Sequence, residues 1–183
     1  VEEDIFGNSQ VVKKIQFLMD KGNTHCFAFR DGAVSNILAL ETNREVIPMV
    51  YDEGRMPFVV ILDRVTDVRN FGAIARTCYA AGVDAIVIPS RGSALINGDA
   101  MKTSAGALSR INVCRVDNVK DAIDFMKSSG LKVVSISEKG RKNIWESDMK
   151  VPVAIMMGSE EDGISEAYLK RSDEHLLIPM PGD

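Results

Sequence analysis

Arg64, Arg69 and Arg76 lie close together, with Asn70 among them, in a chain whose formal net charge is −4. A guanidinium presents a fixed fork of donors that matches phosphate oxygens, so this stretch supplies a local positive patch that the acidic composition otherwise lacks. A second stretch, Gly158-Ser159-Glu160-Glu161-Asp162-Gly163, has the opposite sign and cannot cradle phosphates. Its opening glycine follows an apolar run, which permits close backbone approach by a flat or bulky ligand. The carboxylate two residues on can order neighbouring groups. A third stretch, Pro179-Met180-Pro181-Gly182, follows another apolar run. Taken singly, the first reads equally well as a strand-to-helix loop with Asn70 as cap and solvated arginines, and the second as an acidic turn.

Several chemistries are excluded. No GxxxxGK[ST] occurs and no GxGxxG follows an apolar run, which disfavours nucleoside triphosphates and a nicotinamide-dependent oxidoreductase. His25 and His175 have no HxxxH or CxxC partner and no GxSxG elbow. Asp67, Glu160, Glu161 and Asp162 read as a solvated face, so no metal is expected. Cys26, Cys78 and Cys114 are odd in number and unpaired by spacing, which argues against disulfides and zinc and for a reducing, cytoplasmic setting. No apolar run approaches the roughly 18 residues of a membrane helix, and no leader is evident, so neither membrane nor export is expected.

The elements that must position these residues follow from hydrophobic patterning. With 45% hydrophobic and 26% charged residues in a chain of 183, the composition suits one ordinary domain and a smaller appendage. Phe58 to Leu62, Asp84 to Ile88, Ile111 to Val116, Leu131 to Ile136, Pro152 to Met157 and Glu174 to Ile178 are short apolar runs rich in Val and Ile. Such runs are strands buried on both faces. Helical stretches over Asn70–Ala81, Gly98–Leu108 and Asn118–Ser129 lie between them, the last with Asn118 and Asp121 as its cap. The alternation predicts an α/β fold with a mostly parallel sheet and helices on both faces. In such sheets ligands bind beyond the carboxyl ends of the strands, and all three unusual stretches follow strands. Ahead of this, Ser9 can cap a helix over Val11 to Met19 that stops at Gly22, whereas residues 23 to 57 suggest small strands or an irregular connection. Residues 1–50 are therefore expected to form a small or partial N-terminal region, and 51–183 the main domain.

The run from Asp63 to Thr77 (Asp-Arg-Val-Thr-Asp-Val-Arg-Asn-Phe-Gly-Ala-Ile-Ala-Arg-Thr) resembles the first motif of the SpoU/TrmH family of RNA ribose methyltransferases, within the SPOUT superfamily. Met157 to Ser165 is similar to the second motif and Ile178 to Gly182 to the opening of the third, in matching order over about residues 58 to 183. The resemblance implies a C-terminal trefoil knot and a homodimer with sites near the subunit interface. It also implies transfer of a methyl group from S-adenosylmethionine to a ribose 2'-hydroxyl of structured RNA, 23S ribosomal RNA first and transfer RNA as the alternative. A catalytically silent RNA-binding module that keeps the fold is the reading from another class. Carried over residue by residue, Asn70, Arg76 and Glu160 would be catalytic and Gly158, Ile178 and Met180 would contact the cofactor. Arg64 and Arg69 would meet RNA. The family's third motif continues into a Ser-Leu-Asn segment beyond Asp183, so the domain is expected to be truncated at its C-terminal end. Ile5-Phe6-Gly7 and the helix after it resemble the opening of a substrate-binding domain.

Overall fold

The computed structural model describes residues 28–30, 33–35 and 43–180. The helix expected after Ser9, the Ile5-Phe6-Gly7 opening and the end of the third motif from Pro181 onward lie outside the described residues. Strands β1 (Ala28–Arg30) and β2 (Ala33–Ser35) form an antiparallel pair.

Seven further strands make one sheet: β3 (Phe58–Asp63), β4 (Ala85–Pro89), β5 (Asn112–Val116), β6 (Lys132–Ile136), β7 (Lys142–Asn143), β8 (Val153–Gly158) and β9 (Glu174–Leu177). Their spatial order is β5-β4-β3-β8-β6-β9-β7, and every pairing is parallel. The expected strands stand where the apolar runs place them, within a residue or two at each end. The two-residue β7, which carries a lysine and an asparagine, has no apolar signal.

Alternation along each strand sorts the core into two faces, because successive side chains point to opposite sides. Val59, Ile61, Ala85, Val87 and Cys114 face α1 (Asn43–Asp52), α4 (Val119–Ser128) and α5 (Glu166–Leu169). Val60, Leu62, Ile86, Ile88 and Val113 face α2 (Val68–Ala80) and α3 (Gly98–Thr103). Helices thus cover both faces of the sheet, as patterning predicts. In α2, Gly72 lets α3 approach; a Cβ there would stand 2.8 Å from the Ala100 carbonyl and from Thr103 Cβ.

Three local expectations are corrected. Within residues 23 to 57, expected to hold small strands or an irregular connection, α1 is helical and buries Val46, Ile47 and Val50 against the sheet. Burial contributes roughly 1.5–3 kcal/mol for each such side chain, which outweighs the roughly 3 kcal/mol cost of Pro48 inside the helix. The expected Gly98–Leu108 helix breaks into α3 and a 3-10 turn (Ala107–Ser109), because Ala105 and Gly106 both adopt positive φ. The helix expected over Asn70–Ala81 begins instead at Val68, for a reason that bears on the site.

Between β6 and β7 the chain must cross β9, since β9 lies between those two strands. The crossing is tight. Ser137 and Arg141 donate backbone bonds to the carbonyls of Leu176 and His175, and a Cβ on Gly140 would collide with the backbone of Leu176 and Leu177. Only glycine fits that contact.

Candidate active site

Asp63 and Gly158 are register partners at the carboxyl ends of β3 and β8, neighbours at the centre of the sheet. Beyond them opens a cleft of about 340 Å³ lined by Arg64–Asp67, Asn70 and Ile74 on one side and Met157–Glu161 on the other. Its size falls at the small end of ligand pockets, which span roughly 300–1,000 Å³.

The cap of α2 is Asp67, whose carboxylate accepts from the backbone N of Asn70 at 2.7 Å. Satisfying the helix terminus with Asp67 leaves the Asn70 side chain for another partner. Asn70 Nδ2 donates to Glu160 Oε1 at 3.0 Å, joining the two chemistry-bearing stretches across the cleft. Ile74, one turn on, adds apolar lining. On the opposite wall, the turn after β8 doubles back on itself through an isolated bridge between Ser159 and Gly163. Gly163 N donates to Ser159 O at 3.0 Å and Asp162 N to Ser159 Oγ at 3.1 Å. A Cβ on Gly158 would collide with the backbone of Gly163 and Ile164, so this turn closes only over glycine.

Two further ties bind the walls. Buried Asp63 accepts from both the backbone N and the hydroxyl of Ser165 through Oδ2, the former at 2.7 Å. Arg64 donates from one terminal nitrogen to Asp162 Oδ2 at 3.0 Å and from the other to Gly163 O at 3.4 Å. Its Nε lies 3.4 Å from Asp63 Oδ1 but makes no hydrogen bond, although it is buried. Arg64 has φ 57; that left-handed conformation costs a non-glycine residue roughly 1 kcal/mol or more. The exposed ion pair with Asp162 returns about 0.2–1 kcal/mol, so the arrangement brings no net stability. Next to it, burial and the Asp63 carboxylate raise the Tyr168 phenol above its ordinary value, opposed by Arg64, and the phenol stays protonated.

The structure brings Asn70, Glu160, Gly158 and Arg64 to one cleft. Arg76 is not on its lining. At 3.6 residues per turn Arg76 stands about 120° around α2 from Asn70, exposed and on the same face as Arg69. Ile178 and Met180 leave β9 at the same edge of the sheet, but β6 separates β9 from β8. Neither lines the cleft; they are 51% and 77% exposed, apolar surface that nothing in the described chain covers. No role is assigned from the sequence to Asp63, Ser165 or Ile74, and Asp162, read there only as part of a solvated acidic face, is the partner of Arg64. The signal for Asp63 was legible as a charged residue closing an apolar strand, since a buried carboxylate requires donors. Asp162 and Ser165 carry no such signal.

Among the described residues no three His, Cys, Asp or Glu side chains are grouped so as to hold a metal ion, and no helix is long and apolar enough to cross a membrane. An open parallel sheet with a polar cleft beyond its central strands, walled by two mutually bonded loops, defines an α/β ligand-binding domain of the kind that seats a substrate at its carboxyl edge. Residues 57–183 match the SpoU rRNA Methylase family, and the chain belongs to that family.

Among relatives, it is 35% identical over 130 residues to a putative TrmH family tRNA/rRNA methyltransferase of Staphylococcus saprophyticus, covering 71% of this chain and 52% of the relative. It is 37% identical over 131 residues to the 23S rRNA (guanosine-2'-O-)-methyltransferase RlmB of Xanthomonas campestris pv. campestris, covering 72% and 52%. The chain thus spans about half the length of these curated relatives. The fold is similar to that of the SpoU methyltransferase AviRb from Streptomyces viridochromogenes, solved in complex with the cofactor AdoMet, with a TM-score of 0.65 and 25% identity over 70% of this chain and 51% of that one. It is also similar to the A. aeolicus TrmH/SpoU tRNA modifying enzyme, with a TM-score of 0.63 and 28% identity over 70% and 66%.

Proposed function

We propose that the protein transfers a methyl group from S-adenosylmethionine to a ribose 2'-hydroxyl of structured RNA in the cytoplasm, with 23S ribosomal RNA as the substrate. The observation that carries this reading is the Asn70–Glu160 hydrogen bond, which joins the first and second family motifs at the carboxyl edge of the sheet. The names of the relatives support ribosomal RNA; a structural neighbour titled as a tRNA modifying enzyme makes transfer RNA the second substrate class.

The residues present fit the cofactor's chemistry. Gly158 leaves backbone accessible at the end of β8, while Met157, Ile178 and Met180 expose apolar surface of the sort an adenine ring covers. When bound, S-adenosylmethionine supplies an electrophilic methyl on a sulfonium. Glu160 holds Asn70 and does not face that sulfur, because a carboxylate beside a positive charge that fades in the transition state would favour the ground state. Asn70 orients the ribose. Arg76 grips an RNA phosphate and stabilises negative charge developing on the 2'-oxygen; it stays protonated, since a guanidinium pKa exceeds about 12, and the hydroxyl proton passes to that phosphate or to water.

The position of Arg76 off its own cleft supports a homodimer in which Arg76 serves the site of a second copy, with Arg69 beside it on the RNA. The 137–141 crossing of β9 supports the trefoil knot. No metal takes part in this scheme. Incubating total RNA with the protein and radiolabelled S-adenosylmethionine, then mapping the labelled nucleotide, tests the activity; absence of label in a 2'-O-methyl position defeats it. Arg76→Ala should lower turnover at least about 100-fold, on the scale of losing one transition-state donor, with cofactor affinity within about twofold by calorimetry.

A further inference from the structure

We propose that Arg64 is a positioning residue that clasps the 159–163 turn, so that Glu160 faces Asn70 and Gly158 keeps its backbone open to the cleft. The inference rests on the reading of the cleft as the methyl-donor site, but its mechanical content does not. Backbone at φ 57 is where glycine or asparagine sits without strain. An arginine there has to be accounted for by what its head group reaches, and that is the tip of the turn, through Asp162 Oδ2 and Gly163 O.

The turn is braced internally by the Ser159–Gly163 bridge and by the bonds from Gly163 N and Asp162 N to the two oxygens of Ser159, so its tip lifts only when these bonds open. Asp63 fixes only its trailing end, at Ser165. Its leading end is fixed where Gly158 closes β8, so the turn is a span tied at both ends whose tip can lift; the attachment at Asp162 and Gly163 stops that lifting and fixes the direction in which Glu160 points. The head group also explains its own unmet need. Reaching Asp162 and Gly163 draws Nε into a buried position beside Asp63 Oδ1 without a hydrogen bond. That geometry is a cost accepted for the grip on the turn. A phosphate contact by Arg64 would leave the guanidinium turned outward, whereas both terminal nitrogens are engaged by the turn.

Arg64→Asn keeps the backbone conformation and removes the reach. In the full chain without cofactor, amide hydrogen exchange at Asp162 and Gly163 should accelerate about tenfold or more, local opening being read directly, while Tm stays within about 3 °C. In the same variant the KM for S-adenosylmethionine should rise about tenfold and turnover at saturating cofactor should fall by a smaller factor, because Glu160 still reaches Asn70 part of the time. Asp162→Asn should reproduce both effects, and the double variant should be no worse than the stronger single one, as coupled partners require. Unchanged exchange in both single variants, or additive losses in the double variant, would overturn the proposal; so would a KM change that tracks a fall in Tm. If the parent chain binds no S-adenosylmethionine, the functional reading fails, and the exchange arm still decides whether Arg64 is the clasp.

Discussion

The segment leaving β8 and the segment leaving β9 arrive at the same edge of the sheet in contrasting condition. After β8, Gly158–Ser165 is folded on itself and bonded across the cleft to Asp63, Arg64 and Asn70. After β9, Ile178 and Met180 project as bare apolar side chains. The polar half of the site is therefore organised before any ligand arrives, whereas the apolar half gains its burial only when something covers it. Preorganisation of that first kind reduces the cost of binding, because the turn need not be ordered at that moment.

The comparison breaks most sharply at Gly158. Gly158→Ala forces the turn away from Gly163 and Ile164, and should cost about 2–3 kcal/mol of stability, the upper range for overpacking. It should also abolish binding of S-adenosylmethionine; thermal unfolding and calorimetry check both, and a variant of parental Tm would show that the turn is not braced. Asn70→Ala should lower methyl transfer about 100-fold while unfolding changes by only about 0.5 kcal/mol, since the pair with Glu160 is exposed.

A smaller effect concerns what anchors β9. Lys132, with Ser147 and Lys142, holds the Glu174 carboxyl down at about 2 from 4.5. The folded value is depressed, so the stabilisation is complete above pH 4.5 and drains away as pH falls toward 2. Glu174→Gln should cost about 1 kcal/mol at pH 7 and flatten the acid limb of a stability–pH curve; an unchanged limb would remove Glu174 from the anchor. The smallest effect is expected at Met180. Met180→Ser should leave stability within about 0.5 kcal/mol yet weaken binding of S-adenosylmethionine about threefold or more, a split that a Met180 without ligand contact would not show.

What was legible beforehand divides along physical lines. Strands buried on both faces announce themselves as Val- and Ile-rich runs, and β3, β4, β5, β6, β8 and β9 stand accordingly. The order in which they pair is set by chain crossings at a distance, which local patterning does not encode; nothing about residues 153–158 says that they lie between β3 and β6. In the cleft, Asn70 and Glu160 were reached through motif resemblance, but their bond depends on Asp67 taking the cap, a competition between two similar residues that spacing alone leaves open. Helix α1 was missed because Pro48 and flanking polar residues mask an apolar stripe that burial decides. The location of Arg76 away from its own cleft follows from the helical period, which sets it about 120° from Asn70 wherever the helix begins, but only the fold shows which side of α2 the cleft occupies.

The span from Ser137 to Arg141 has a mechanical consequence. An edge strand peels off one ladder bond at a time when its end is tugged, as a zip opens. Strand β9 is flanked by β6 and β7, and its backbone abuts Gly140 of the crossing, so it leaves the sheet only when two ladders and this contact give way together.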